Sequence, residues 1–257
     1  MEPHSGIIAV LAFGFFLGLK HATDADHVVA VANIVGKERN IWQSIWLGAS
    51  WGAGHSVPLV ILGTVVLISN EIAIERYEAI APFLEVGVGI MLVYLGVSAA
   101  WNVLRGKLHI HQHDHGVGPH VHVHATHQPQ ASHARLSQHK PNSDNHNSFF
   151  ILGRPVFRVK SFAIGIVHGL AGSAAVMVVL LPTIDSTLTG LGYIALFSIG
   201  TMLSMATLTI FLALPFKAAA SKLALNRAIT LAAGAISIAV GAILITESLF
   251  DATIMPF

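Results

Sequence analysis

The chain has no cysteine and few charged residues for its length. The absence of cysteine among its 257 residues excludes disulfides, thiolate metal sites and cysteine nucleophiles. Only 11% of the residues are charged, whereas a soluble globular protein has about a quarter. The formal net charge of +1 gives no indication of nucleic-acid binding. No G-x-x-x-x-G-K-[ST] sequence is present, so a phosphate loop for ATP hydrolysis is also absent.

The sequence is rich in hydrophobic residues. Hydrophobic residues make up 54% of the chain, and its mean hydropathy is +0.68. A helix of about 20 apolar residues crosses a bilayer core of about 30 Å. The sequence therefore predicts an all-α polytopic membrane protein with six transmembrane helices in the lipid bilayer. The six segments lie near residues 6–35, 41–69, 79–103, 157–183, 189–214 and 227–250.

The first hydrophobic segment is too long for one straight span. Residues 6–35 in a single helix would extend about 45 Å, and the polar block KHATDADH lies in the middle of the segment. A helix that is broken at mid-depth would explain both features, and transporters build ion sites at such breaks.

Basic residues predict the orientation. Twelve of the 14 Lys and Arg residues lie in the connections after the first, third and fifth segments. The opposite side has Arg76 alone, and Lys20 lies inside the first segment. Because cytoplasmic connections carry an excess of Lys and Arg, we expect a protein of the cytoplasmic membrane with both termini outside. The long central loop would then be cytoplasmic.

The two halves of the chain share short patterns at matching places. The G-x-x-H of residues 18–21 recurs at 165–168, and the G-x6-G spacing that begins at Gly89 recurs from Gly234. His55 in the second segment falls near residues 203–205 in the fifth. Three spans per half would invert the second half, and inverted repeats place the substrate near the membrane midplane. The predicted organisation is a 3+3 inverted repeat, with repeats at 1–103 and 157–257 and a loop at 104–156.

The polar block holds four side chains that can bind metal: His21, Asp24, Asp26 and His27. Ionisable residues inside a bilayer cost about 2.5–3.5 kcal/mol each on insertion scales and are generally functional. Imidazole and carboxylate suit nickel, cobalt, zinc, iron or manganese. Lys20 and Asp24, four residues apart, could also simply neutralise each other. That pairing would leave the other three residues unexplained.

Helix geometry limits how these residues could share one ion. At about 100° per residue, a straight helix cannot direct His21, Asp26 and His27 at one point. Either the helix unwinds here, or some of these residues orient ligands without binding the ion themselves.

Two histidines in other segments complete the candidate site. His55 lies in the middle of the second segment and His168 in the fourth, although a lone membrane histidine can also serve as a hydrogen-bonding residue between helices. Asn33 and Ser173 are weaker oxygen donors. The ion is expected closest to His21, His27 and His55. The predicted metal residues are His21, Asp24, Asp26, His27, His55 and His168.

These motifs resemble those of the nickel/cobalt permease superfamily. His21, Asp26 and His27 match its H-x4-D-H signature, and Gly54-His55-Ser56 resembles its second-helix motif. Residues 168–175, HGLAGSAA, look like the smaller branch of urease-associated membrane proteins. The resemblance implies a secondary importer of nickel or cobalt, with the ion as cargo, no cofactor and no enzymatic activity. The best-known members have eight spans and further acidic motifs, which this chain lacks.

The central loop is rich in histidine. Eleven histidines lie between His109 and His146, among Gln, Ser, Asn and Pro. This composition predicts a disordered loop without a core. Closely spaced imidazoles bind divalent ions, so the loop is expected to act as a cytoplasmic metal acceptor, buffer or sensor. Low-complexity drift is the alternative explanation of this composition.

Two other functional classes compete with an importer. One is a divalent metal exporter, because cytoplasmic histidine loops also occur in efflux proteins. The other is an intramembrane metalloenzyme, but the chain has no H-E-x-x-H zinc motif. Di-iron chemistry would require more histidine clusters, and no convincing rhomboid-like Ser/His pattern is present.

Overall fold

The computed structural model describes residues 3–36, 41–69, 71–105, 109–113, 120–124, 157–171, 180–184, 186–219 and 221–250. Nearly all of this part of the chain is helical. A short 3-10 turn, Leu181–Thr183, comes before the sixth helix. The α-helices, numbered here in chain order, are α1 (Pro3–His21), α2 (Ala25–Val35), α3 (Ile41–Ser69), α4 (Glu71–Leu104), α5 (Val159–Gly169), α6 (Thr187–Ala218) and α7 (Leu223–Phe250).

Four of these helices, α3, α4, α6 and α7, are long and apolar enough to cross a bilayer. Helices α1 and α2 together provide a fifth candidate span, bent by 54°. The predicted segment 157–183 is represented by the eleven-residue α5 and the 3-10 turn, and residues 172–179 fall outside the described part. The fold class of a helical membrane protein therefore agrees with the sequence. The structure supplies four to five spans where six were predicted.

The break in the first span lies at residues 22–24, inside the polar block. The amides of Thr23 and Asp24 donate to the carbonyls of Lys20 and His21, at 2.9 and 3.1 Å, which ends α1 in a tight turn. Asp24 is extended, and its carbonyl accepts the first hydrogen bonds of α2. The expected broken helix is confirmed, and the break brings the end of α1 and the start of α2 to the same place.

Four pairs of helices in the described part of the chain pack through glycine. Helix α1 lies on α6, α3 lies on both α5 and α6, and α4 lies on α7. A Cβ atom added to Gly18 would collide with the carbonyl of Phe197, and one added to Gly165 would collide with that of Trp51. Glycine lets two helix backbones approach closely, which is a common way for membrane helices to associate.

Helix α2 has a mostly apolar buried face and a buried histidine in its first turn. It packs against α6 and α7, and its buried face includes Val29, Ala30, Val31 and Val35. The first turn of the same helix places the fully buried His27 beside this core. The start of the helix therefore places a side chain that can bind metal in a fully buried position.

A small antiparallel hairpin, β1 (His109–His113) and β2 (His120–His124), lies within the histidine-rich loop. The register sets His109 opposite His124, His111 opposite His122 and His113 opposite His120. The sequence predicted no regular structure here, so these ten residues depart from that expectation. Histidines alternate with Ile and Val in much of the hairpin, and β-branched residues favour strands. Residues 125–156 of the loop lie outside the described part.

Candidate metal centre

His21 ends α1 and is held by a carboxylate from the following turn. Its Nδ1 lies 2.9 Å from Oδ2 of Asp24. Because an ionised carboxylate can only accept, Nδ1 carries the proton and Nε2 keeps its lone pair. Lys20 lies 3.6 Å from the other oxygen of Asp24. The ion pair that the spacing suggested therefore exists, but it leaves the Asp24–His21 hydrogen bond in place.

His27 has the same arrangement with Asp26. Its Nδ1 and its backbone amide both donate to Oδ1 of Asp26, at 2.8 and 2.9 Å. Its Nε2 is buried and has no hydrogen-bond partner among the described residues. The second oxygen of Asp26 lies 2.8 Å from Nε2 of His168. Asp26 therefore links the start of α2 to the end of α5.

His55 enters from the middle of α3 and is fully buried. Its Nε2 lies 3.1 Å from Nε2 of His21. Since His21 has its proton on Nδ1, the proton between the two rings belongs to Nε2 of His55. Nδ1 of His55 has no partner in the described part of the chain. A shift of this proton to Nδ1 would free a lone pair on Nε2 beside that of His21.

The histidine rings converge in two overlapping groups. His21, His27 and His55 offer ligand atoms within 4.8 Å of one another, and so do Asp26, His27 and His168. Metal–nitrogen bonds of about 2.0–2.1 Å accommodate the separation between His21 and His55 with little movement. The cluster matches the way metal-binding histidines are commonly oriented, with one ring nitrogen on a carboxylate and the other free for the ion.

Aromatic side chains close the cluster on two sides. Phe197 stacks on His21 with ring centroids 5.7 Å apart, and Trp51 meets the ring of His168 edge-on at 5.8 Å. Neither residue was singled out in the sequence. Aromatic residues in an apolar helix carry no pattern that distinguishes a site wall from ordinary packing.

All six predicted metal residues lie together in this cluster. The structure distinguishes their positions: His21, His27 and His55 have ring nitrogens close together, whereas Asp24 and Asp26 lie on the far sides of two of these rings. Asn33 is buried and donates to the carbonyl of Val29. Ser173 lies outside the described residues.

Comparison with known proteins identifies the family, although no protein-family model and no solved structure matches the chain. It is 34% identical over 235 residues to the urease accessory protein UreH of Bacillus sp. (strain TB-90). The alignment covers 91% of this chain and 90% of that protein. The chain belongs to the nickel/cobalt permease superfamily.

Two further relatives extend the comparison. The chain is 25% identical over 240 residues to the chloroplast protein FOR GROWTH AND FERTILITY 2 of Arabidopsis thaliana, over 92% of this chain and 56% of the relative. It is 36% identical over 84 residues to a high-affinity nickel transport protein of Cupriavidus necator, over 31% of this chain and 21% of the relative. The names of two of these relatives describe an accessory protein and a nickel transporter.

Proposed function

We propose that this permease imports divalent nickel or cobalt across the cytoplasmic membrane, with the ion bound by His21, His27 and His55. The observation that carries the proposal is the pair of histidine–aspartate hydrogen bonds at the break of the first span. In each, Nδ1–H of the imidazole donates to the carboxylate, which holds the ring proton on Nδ1 of His21 and of His27 and leaves both Nε2 atoms as metal donors. His55 adds a third nitrogen 3.1 Å from that of His21.

The charge of the cluster also favours a divalent cation. Asp24 and Asp26 bring two negative charges near the ion, and Lys20 offsets part of one at the partly exposed edge. A buried charge is costly unless it is paired. A divalent cation among three neutral imidazoles would balance the carboxylates without water. The nickel transport protein among the relatives supports nickel as the cargo.

The packing contacts support the predicted inverted repeat. Gly18 lies against the carbonyl of Phe197, and Gly165 lies against that of Trp51. Residue 165 is 147 positions after 18, and residue 197 is 146 after 51. Each contact of one half is therefore repeated by its counterpart residues in the other half.

A second set of contacts obeys the same rule. Gly54 lies against the carbonyl of Phe162, and Gly200 lies against that of Phe15, with the same two offsets. The α4–α7 pair is its own counterpart, because Gly89 and Gly241 each face the carbonyl of the other. Two sets of corresponding glycines, Gly18 with Gly165 and Gly54 with Gly200, therefore support a 3+3 arrangement.

The helix directions are those that six alternating spans require. Contacts along α1 and α6 rise together in residue number, from Gly14–Tyr193 to Gly18–Phe197, so these helices run parallel. The contacts of α4 and α7 run in opposite order and make that pair antiparallel. Six alternating spans put both termini on the same side of the membrane. The distribution of Lys and Arg favours the outside for the termini and the cytoplasm for the central loop.

The offset also corrects the repeat alignment. His55 corresponds to Thr201, two residues before the 203–205 stretch that the sequence comparison suggested. Asp26 and His27 correspond to Ser173 and Ala174. Of the ligands of the first half, only His21 has a histidine counterpart, His168, so the proposed site is single.

Radiolabelled nickel flux tests the function. Cells that express the protein should accumulate more ⁶³Ni than control cells, and His55→Ala or Asp26→Asn should abolish the gain. Glu78→Gln, which removes an exposed carboxylate of α4, is the matched control and should transport normally. Lower accumulation with the wild type would establish the alternative, an exporter. Equal accumulation in all strains would refute nickel transport in either direction.

A further inference from the structure

His27 belongs to both ligand groups of the cluster. Its ring centroid lies 4.6 Å from that of His21 and 4.9 Å from that of His55, and only 4.2 Å from that of His168. Asp26, bonded to the rings of both His27 and His168, completes the second group. One imidazole therefore stands between two sets of donors that differ in composition.

The two groups of ligands differ in charge and in exposure to solvent. The first consists of imidazoles alone, from His21, His27 and His55, whose side chains are buried. The second includes a carboxylate, and the side chain of Asp26 is 20% exposed. The carboxylate group is thus the more open of the two and the one with the stronger attraction for a cation.

We propose that the ion occupies two successive positions, an inner one at His21, His27 and His55 and an outer one at Asp26, His27 and His168. The first position lies on the Nε2 side of the His27 ring, and the second lies on the Nδ1 side, which faces Asp26. This inference rests on the proposed transport function, because it concerns how the cargo leaves or enters the same cluster. It assigns His168 a direct role as a ligand of the outer position.

The exchange is balanced in bonds and protons. Bonds from the ion to His21, His55 and Nε2 of His27 break as bonds to Asp26, His168 and Nδ1 of His27 form. The proton that Nδ1 of His27 donates to Asp26 moves to Nε2 of the same ring. Nε2 of His168 must give up the proton that it donates to Asp26. That proton moves to Nδ1 of the same ring, which has no hydrogen-bond partner among the described residues. No net proton is gained or lost.

Two neighbouring positions address a physical difficulty of transport through a dry site. A divalent ion that lost all its ligands in a low-dielectric interior would be very unstable. Conduction requires binding that is strong enough to enter and weak enough, or distributed over enough sites, to leave. A second set of donors on the other side of the His27 ring meets both conditions, since it offers ligands to the ion as it leaves His21 and His55 and distributes the binding over two sites.

A purely structural role for His168 is the competing explanation. In that case its ring only donates a hydrogen bond that holds Asp26 in place. His168→Gln separates the two roles, because the glutamine amide can still donate to Asp26 but is a poor ligand for nickel. His168→Ala removes both the ligand and the hydrogen bond.

The experiment combines affinity with flux in the full-length chain. The eleven loop histidines are replaced by asparagine to remove background binding, and Co²⁺ affinity is measured by titration in detergent. We expect His55→Ala to weaken binding by at least about tenfold. The two His168 variants should keep an affinity within about threefold of the parent and lower ⁶³Ni flux into proteoliposomes by about tenfold or more.

Two results would overturn the two-position inference. One is normal flux in His168→Gln, which would reduce His168 to a hydrogen-bond donor. The other is a loss of affinity in His168→Gln as large as that in His55→Ala, which would indicate one site with four ligands. Failure of the proposed function gives a different pattern, in which His27→Ala and His55→Ala both bind Co²⁺ as tightly as the parent.

Discussion

Nε2 of His21 lies 3.1 Å from Nε2 of His55, although 34 residues separate the two histidines and they belong to different helices. The contact exists because α1 stops at His21 and its last side chain meets the middle of α3. Two neutral imidazoles at this distance share one proton. A divalent cation can replace that proton between them, which makes this pair the geometric centre of the proposed site.

Removing the negative charge of Asp24 should weaken metal binding without removing a ligand. Asn at position 24 holds Nδ1 of His21 less strongly and no longer offsets the charge of the ion. Loss of such a supporting partner typically lowers affinity about 10–100-fold. Co²⁺ titration of Asp24→Asn in the loop-replaced chain measures the effect, with Glu78→Gln as control. An unchanged affinity would mean that His21 is oriented by packing against Phe197 rather than by Asp24.

The glycine contacts between α3 and α5 should be intolerant of even one methyl group. In Gly54→Ala the added Cβ falls on the carbonyl of Phe162, whereas in Gly87→Ala it meets nothing within 4 Å. Overpacking of this kind costs about 1–3 kcal/mol, so we expect a lower Tm for Gly54→Ala and no change for Gly87→Ala. Thermal unfolding in detergent measures both. Equal Tm values would show that α3 and α5 can move apart to accommodate the methyl group without loss of stability.

The proposed topology can be tested on the natural background, since the chain has no cysteine. A membrane-impermeant maleimide applied to intact cells should label Arg76→Cys, in the predicted outer connection. It should label Lys140→Cys, in the central loop, only after the membrane is permeabilised. The reverse pattern would invert the orientation and move the histidine-rich loop outside.

Metal bound by the loop histidines should be released in mild acid. An imidazole with an ordinary pKa of about 6.5 loses its free lone pair when it is protonated, so binding is present above that pH and fades below it. Equilibrium dialysis with ⁶³Ni at pH 7.5 and pH 5 measures the loss. The loop-replaced chain is the control and should bind fewer ions at pH 7.5. Equal binding by both chains at pH 7.5 would mean that the loop holds no metal.

Much of the fold follows from simple physical limits. The break of the first span was predictable, because residues 6–35 are too long for one helix and the polar block cannot lie in lipid unsupported. Helix α3 covers Ile41–Ser69, the range that its apolar run predicted. The length of an apolar run predicts a membrane-spanning helix well, because a helix needs about 20 residues to cross the lipid whatever its tertiary contacts.

The assignment of roles within the site was not predictable. Helix geometry left open whether the chain unwinds or whether some residues only orient ligands, and the structure has both features. The break joins His21 to His27, and Asp24 and Asp26 support their rings. Sequence spacing describes one helix at a time. The pairing of Asp26 with His168, 142 residues away, depends on how α2 meets α5.

The repeat alignment set Gly54-His55-Ser56 near residues 203–205 rather than at 200–202 for a related reason. The second half has no histidine at either place, so side-chain identity gave no guide to the correspondence. The backbone contacts of Gly54 and Gly200 give the correct correspondence. A glycine packs against a carbonyl because it has no side chain. This packing is therefore retained in both halves of the chain, although the metal-binding side chains of the first half have other residues as their counterparts in the second.

Helices that meet through bare backbone have no side chains between them to rearrange, so helices packed in this way should behave as one rigid body. Gly18 packs α1 on α6, Gly48 packs α3 on α6, and Gly165 packs α5 on α3. The helices that carry His21, His55 and His168 therefore belong to one body, whereas Asp26 and His27 lie on α2, beyond the turn at residues 22–24. Any motion that opens the cluster would move α2 against this body, with that turn as the natural hinge.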